Sequence, residues 1–133
     1  ILHRGHVTYL AQARALGAAM IVALNTDASV KRLGKGDDRP VNPLLHRAAV
    51  MASLASVDCV TWFDEDTPFN LIELIQPEIL VKGGDYSPNE ENPENSAYIV
   101  GRDHVLKNGG LVKTIAFVDG FSSTTIIEKI KNS

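Results

Sequence analysis

Residues 69–86, FNLIELIQPEILVKGGDY, contain the unit that decides the fold. Phe69–Ile75 is predicted as a helix that Pro77 ends, and the short run Ile79–Val81 that follows is entirely apolar. A run of this kind suits a strand that is covered on both faces, as in a parallel sheet. Lys82 and a double glycine come directly after it, and the glycines allow a ligand to approach the backbone closely.

The same alternation of helix and strand extends outward along the chain. The apolar patterns predict further helices at residues 7–15 and 44–54, near residue 105 and at 126–130, and further strands at residues 19–24, 59–63 and 111–117. Asn42 before Pro43, and Thr67 before Pro68, predict helices with a side-chain cap and proline at the first helical position. The chain is therefore predicted to be an α/β protein with a Rossmann-like doubly wound parallel sheet and helices on both faces. Ligands of such sheets bind at the carboxyl ends of the strands.

Length and composition exclude several classes of protein. The chain has 133 residues, of which 44% are hydrophobic and 22% charged, as is typical of one globular domain. A net charge of −3 argues against a general nucleic-acid binder, and no apolar run nears the ~20 residues of a membrane span. The single cysteine, Cys59, rules out an intrachain disulfide, and both Cys59 and Trp62 are predicted to lie in the core. With no signal peptide, these features predict a cytoplasmic protein.

The first candidate site is His3-Arg4-Gly5-His6, at the predicted start of the first helix. Histidines three residues apart share one face of a helix, and Gly5 leaves the backbone between them accessible. Free N–H groups at a helix start favour phosphate, and two imidazoles there can stabilise charge on a transferring phosphoryl group. The alternatives are a pair of surface histidines and a zinc site, which lacks a third ligand nearby in the sequence.

Two further candidates combine glycine or hydroxyl side chains with strand and helix ends. Gly83 follows a buried strand and allows close backbone approach, and Asp85 is suited to hold sugar hydroxyls. Ser122, Ser123 and Thr124 open the last helix, where hydroxyls and free N–H groups bind phosphate oxygens together. Taken singly, the first is equally consistent with a glycine turn and the second with ordinary helix capping.

The fourth candidate is a basic segment, residues 31–42, in the glycine-bearing connection before the second long helix. Its cations Lys31, Lys35 and Arg39, together with Arg47 in the next helix, suit the capture of a polyphosphate. The alternative is a solvated charged loop.

In this order and spacing, the His3–His6 and Ser122–Thr124 motifs resemble those of the nucleotidyltransferase superfamily. The chain is similar over essentially its whole length to one branch, the D-glycero-β-D-manno-heptose 1-phosphate adenylyltransferases, above all in the strings Asn25–Val30, Arg39–Pro43, Phe63–Pro68 and Lys82–Tyr86. In this branch the domain stands alone or follows a heptose 7-phosphate kinase domain in a bifunctional protein.

The resemblance implies a reaction and a set of roles. AMP would pass from ATP, accompanied by Mg²⁺, to D-glycero-β-D-manno-heptose 1-phosphate, giving pyrophosphate and the ADP-heptose used for the lipopolysaccharide core. Catalytic roles are implied for His3, His6 and Lys35. Nucleotide binding is implied for Gly5, Gly83, Asp85, Ser122, Ser123 and Thr124. Phosphate binding is implied for Lys31, Arg39 and Arg47. The implied partners are a second copy in a homodimer and a fused kinase domain upstream.

The branch also carries a central strand just before the position of Ile1, so residues 1–133 are expected to be one nucleotidyltransferase domain truncated at its N-terminus. A parallel sheet without its central strand leaves strand edges unpaired, and the isolated chain is expected to be poorly stable. Two alternatives stay open. One is a cytidylyltransferase or another sugar- or alcohol-phosphate nucleotidyltransferase, and the other is an inactive nucleotide-binding module.

Overall fold

A computed structural model describes residues 2–34, 36–116 and 122–132. Helices and strands alternate through these residues, as the sequence predicts. Their order is α1 (Arg4–Arg14), β1 (Ile21–Asn25), α2 (Asp27–Arg32), α3 (Leu44–Ala52), β2 (Cys59–Phe63), α4 (Phe69–Ile75), β3 (Ile79–Gly83), α5 (Arg102–Lys107), β4 (Leu111–Ile115) and α6 (Ser123–Lys131).

The strands form two parallel pairs. Ile21–Asn25 pairs with Cys59–Phe63, and Ile79–Gly83 pairs with Leu111–Ile115, each residue opposite its counterpart in order. The carboxyl ends of the strands are therefore level within each pair. No strand among the described residues joins the two pairs.

The β3–β4 pair is covered by an apolar cluster. It links α4, the connection that follows β3, α5 and β4 through the buried side chains of Ile72, Ile99, Val105 and Val112, with Leu80 packed against them. Gly110 sits where this cluster meets β3, since an added Cβ would lie 2.7 Å from Cγ1 of Val105 and 2.8 Å from the carbonyl oxygen of Glu78. A side chain at this position would push β4 away from α5.

The two predicted proline starts are displaced by one residue. In both α3 and α4 the proline, Pro43 or Pro68, is itself the N-cap, and no side chain caps the helix locally. The prediction that Asn42 and Thr67 cap these helices is therefore wrong. In α3 the N–H of Leu44 donates instead to Oδ1 of Asp27, at 2.9 Å. A carboxylate distant in the sequence thus does the work of a local cap.

Helix α2 was not predicted from the sequence. The hydroxyl of its N-cap, Thr26, accepts a hydrogen bond from the N–H of Ser29 at 3.2 Å, and Asp27 lies in the first turn. A capping threonine followed by an acidic residue is the signal that identifies this short helix.

Cys59 and Trp62 are exposed, contrary to the core positions predicted for them. Among the described residues β2 pairs only with β1, and along this strand Cys59 and Trp62 are exposed whereas the two residues between them are partly buried. The Trp62 side chain is 57% exposed, whereas the next residue, Phe63, is buried. The apolar composition of residues 59–63 predicted the strand correctly, but it did not predict how much of the strand other elements cover.

Candidate active site

Helix α1 begins at the first histidine motif. His3 is its N-cap, and the Nδ1 atom of His3 accepts a hydrogen bond from the N–H of Gly5 at 3.1 Å. An accepting Nδ1 carries no proton, so the proton of this neutral imidazole is on Nε2. His3 therefore keeps a hydrogen-bond donor at the start of the helix, next to a buried Gly5.

His6 lies against His3, with 4.1 Å between the ring centroids and 37° between the ring planes. Burial, helped by the neighbouring His3, lowers the pKa of His6 to about 4, and burial also lowers the pKa of His3. Both imidazoles are therefore neutral at pH 7. Lowered pKa values in two histidines that contact each other at a helix start are typical of a functional site.

The basic segment lies along an open cleft of about 460 Å³, lined by Lys31, Gly34, Gly36 and Asp37. Gly34 and Gly36 have φ of +69° and +106°, a backbone conformation that other residues rarely adopt. The residue between them, Lys35, lies outside the described residues, and its predicted catalytic role therefore stays a prediction.

The end of the basic segment is tied to α6. Arg39 donates from Nη2 to the Thr124 hydroxyl at 2.9 Å, and Lys131 pairs with Asp38 at 2.8 Å. The structure thus brings together Arg39 and Thr124, which the sequence assigned to phosphate and nucleotide from two separate motifs. Thr124 itself is exposed at the start of α6.

Helix α6 begins where the hydroxyl motif predicts it. The carbonyl oxygen of Ser122 accepts the N–H of Ile126 at 3.2 Å, and the helix runs from Ser123. The side chain of Ser123 lies outside the described part of the structure. The position of the motif at a helix start is confirmed, whereas contacts with a nucleotide stay a prediction.

The glycine motif lies at the carboxyl end of the β3–β4 pair. Gly83 is the last residue of β3, and the N–H of Gly84 donates to the carbonyl oxygen of Ile115 at 3.1 Å, with φ of +91° at Gly84. Asp85 follows as an exposed side chain. The carboxylate predicted to hold hydroxyl groups therefore stands at the carboxyl ends of β3 and β4, where α/β proteins bind ligands.

Arg47 occupies a different place from the other predicted phosphate ligands. Its guanidinium donates to the carbonyl oxygens of Asn42 at 2.9 Å and Asn25 at 2.8 Å, and to Oδ1 of Asp27 at 2.7 Å. Three of its five N–H donors are therefore bound to protein oxygens.

Ser29 completes this arrangement and was not singled out from the sequence. It is fully buried, and its hydroxyl accepts from Nδ2 of Asn25 at 3.0 Å and donates to the carbonyl oxygen of Glu65 at 2.7 Å. We call Asn25, Asp27, Ser29 and Arg47 the polar hub. A serine in the first turn of a helix that follows a strand is the one local signal for it.

The chemistry of the site suits an anion. The groups gathered here are imidazole and guanidinium nitrogens, hydroxyls and backbone N–H groups, all of which can donate hydrogen bonds to phosphate oxygens. No group of three metal-type side chains is found in the described ranges. None of the helices described is long and apolar enough to cross a membrane.

Comparisons with known proteins agree with this chemistry. The family model described as cytidylyltransferase-like matches residues 1–129. The chain is 57% identical over 129 residues to the bifunctional protein HldE of Marinomonas sp. (strain MWYL1), covering 97% of this chain. It is 56% identical over 131 residues to HldE of Salmonella enteritidis PT4, covering 98%. The chain spans about a quarter of the length of these relatives, 25% and 26%.

A solved structure supports the fold. The lipopolysaccharide core biosynthesis protein from Thermoplasma volcanium GSS1 superposes with a TM-score of 0.64, over 89% of this chain and 88% of that one. At 24% sequence identity, this likeness concerns the fold alone. It agrees with the Rossmann-like α/β arrangement predicted from the sequence.

Proposed function

Since the chain belongs to the cytidylyltransferase-like family, we propose that it transfers the adenylyl group of ATP to D-glycero-β-D-manno-heptose 1-phosphate, giving ADP-heptose and pyrophosphate. One observation carries the proposal. The buried side-chain nitrogens that lack a hydrogen-bond partner among the described residues are Nδ1 of His6 and Nε of Arg39. Both belong to motifs predicted to bind phosphate, and an unpaired buried nitrogen is costly unless a ligand completes it.

The nucleophile of this reaction needs no general base. The second pKa of a phosphate monoester is about 6, so the sugar phosphate is mostly a dianion at neutral pH. One of its oxygens attacks the α-phosphorus of ATP, and the bond to the oxygen bridging the α- and β-phosphorus breaks as pyrophosphate leaves. The protein has to align the two phosphates and neutralise their charge.

The histidines suit charge stabilisation rather than proton transfer. A pKa of about 4 keeps His6 neutral at pH 7, and its buried Nδ1 has no hydrogen-bond partner among the described residues. A proton on this nitrogen would let the ring donate to a ligand oxygen. His3 donates from Nε2, because its Nδ1 is occupied by Gly5. We assign both donors to the oxygens of the α-phosphate and of the departing pyrophosphate, where negative charge grows in the transition state.

The remaining roles follow the placement of the motifs. Lys31, Lys35 and Arg39 on the basic segment neutralise phosphate charge, and Arg39 does so beside Thr124. Ser122, Ser123 and Thr124, at the start of α6, bind triphosphate oxygens together with the free N–H groups of that helix. Gly5 and Gly83 allow the nucleotide to approach the backbone, and Asp85 accepts hydrogen bonds from sugar hydroxyls. Mg²⁺ supplied with ATP adds charge neutralisation at the triphosphate.

The test is pyrophosphate release by the protein as its gene encodes it, with ATP, Mg²⁺ and the heptose 1-phosphate. We expect release that requires the sugar phosphate. CTP in place of ATP tests the second candidate, a cytidylyltransferase, which the family description favours. A folded protein that binds ATP but releases no pyrophosphate with this sugar would contradict the proposed substrate. Binding of neither nucleotide would contradict nucleotidyl transfer itself.

A further inference from the structure

We infer that Arg47 and Asp27 form a positioning pair, which holds the α3 end of the basic segment against α2 and β1 so that the cations of the segment meet the phosphates. The inference rests on the proposed function, since it assigns the phosphates to that segment. Arg47 then acts through the backbone and not as a ligand of the substrate.

The pair joins the two helices that flank the basic segment. Asp27 is the first residue of α2, and Arg47 lies in the first turn of α3. The Asp27 carboxylate accepts from Nη2 of Arg47 at 2.7 Å and from the N–H of Leu44 at 2.9 Å. One carboxylate oxygen therefore holds the start of α3 through two donors. The third partner is β1, because Arg47 also donates to the carbonyl oxygen of Asn25.

The basic segment is anchored on each side of its glycines. On the α3 side, Arg47 donates from Nε to the carbonyl oxygen of Asn42, at 2.9 Å. On the α2 side, Arg32 pairs with Asp66 at 2.7 Å and also donates to the carbonyl oxygen of Asp64, both just beyond β2. Between these anchors, Gly34 and Gly36 have positive φ angles, and the further contacts of the segment are the exposed ones of Arg39 and Asp38 with α6. The placement of the segment therefore depends on a few polar contacts, of which those made by Arg47 are the least exposed.

Charge and burial separate Arg47 from a phosphate ligand. The Asp27 carboxylate in contact neutralises its charge, and the Arg47 side chain is only 21% exposed. A guanidinium that bridges three protein oxygens would have to give up hydrogen bonds to turn toward a substrate. Arg39 contrasts with it, because Nε of Arg39 is buried and unpaired within the described residues.

The experiment compares Arg47→Lys, Asp27→Asn and the double variant, each in the protein as its gene encodes it. Lysine keeps the charge but lacks the planar guanidinium whose three nitrogens reach three separate acceptors, and asparagine keeps the shape but removes the charge. We expect each single variant to lower kcat about tenfold while KM for ATP stays within about twofold, because the cations remain present but are misplaced in the transition state. The double variant should be no worse than the more impaired single variant, since either change breaks the same pair.

A readout independent of activity is limited trypsin digestion, which cleaves after Lys31, Arg32 or residue 35 when the segment is released. We expect cleavage there to be on the order of tenfold faster in the variants, at a temperature where each remains folded. The matched control is Arg14→Ala, which breaks the Arg14–Asp58 ion pair of 2.9 Å before the amino ends of β1 and β2. It should leave both kcat and cleavage within the basic segment unchanged.

The outcomes separate this inference from the proposed function. A raised KM for ATP or the sugar phosphate in Arg47→Lys, with Asp27→Asn unaffected, would make Arg47 a phosphate ligand and overturn the pair. Unchanged cleavage in every variant would overturn it as well. A protein without transferase activity whose segment is nevertheless released in both variants would refute the proposed reaction and leave the positioning pair standing.

Discussion

The two strand pairs are stabilised by different chemistry. Around β3 and β4, with α4 and α5, the contacts are apolar and centre on Ile72, Ile99 and Val105; we call this the apolar half. Around β1 and β2, with α2 and α3, the part-buried contacts of the polar hub are hydrogen bonds and one ion pair. We group these elements with the histidine pair at the start of α1 and call them the site half. Apolar packing tolerates small shifts, whereas a polar network fixes positions because each donor needs its acceptor. Most of the proposed phosphate-binding residues belong to the site half, where hydrogen bonds fix the positions of the side chains.

The largest expected effect tests whether a residue of the site half can be essential for catalysis and yet contribute little to the stability of the fold. His6→Ala removes the imidazole to which we assign stabilisation of the growing charge, and we expect kcat to fall on the order of 10²-fold or more. The melting temperature should change far less than the activity does. His46→Ala, on the exposed face of α3, is the control and should leave turnover unaffected. A loss of only two- or threefold in folded His6→Ala protein would remove His6 from the mechanism.

The next effect probes the apolar half through two neighbouring glycines. Gly110→Ala forces a Cβ to 2.8 Å from the carbonyl oxygen of Glu78, and we expect it to lower the free energy of unfolding by about 2–3 kcal/mol. Gly109→Ala meets no atom within 4 Å but sits at φ of +81°, so only backbone strain of about 1 kcal/mol is expected. Urea unfolding measures both. If the two substitutions lowered the free energy of unfolding equally, close packing around Gly110 would not contribute to the stability of the apolar half.

A third prediction concerns the buried hydroxyl of the polar hub. Ser29→Ala leaves Nδ2 of Asn25 and the carbonyl oxygen of Glu65 without their partner, which should lower the free energy of unfolding by about 2 kcal/mol. Ser53→Ala removes an exposed hydroxyl bonded to Val50 and should change stability by less than about 0.5 kcal/mol. If the two variants were equally stable by urea unfolding, the polar hub would not contribute to the stability of the site half.

The sequence predicted the apolar half better than the site half. Helix α4 was predicted at its observed residues, and α5 ends where the Asn108-Gly109-Gly110 string indicates. These elements depend on local signals of apolar spacing, proline and glycine. In the site half the motif residues were predicted, but the cap of α3 and the partners of Arg47 were not. Those contacts join residues many positions apart, such as Asp27 and Leu44, which no local pattern specifies.

The smallest expected effect is a pH dependence of the free energy of unfolding that arises in the site half. The pKa of His6 is lowered to about 4 in the folded chain, against about 6.5 when unfolded. Between these values the unfolded chain binds a proton that the folded chain does not, so the free energy of unfolding falls as pH falls through this window. The stabilisation is complete above about pH 6.5.

For a half-buried ring the loss should be on the order of 1 kcal/mol by pH 5, once solvent screening is allowed for. His6→Gln cannot take up this proton, so the stability difference between it and the wild type should shrink on going from pH 8 to pH 5. Urea unfolding of both proteins at the two pH values measures that change. Because the contacts of the apolar half are made by groups that do not titrate, Gly110→Ala should keep a constant difference from the wild type over the same range. A constant difference for His6→Gln as well would mean that burial does not hold His6 neutral, and the imidazole would then reach the phosphates as a cation at mildly acidic pH.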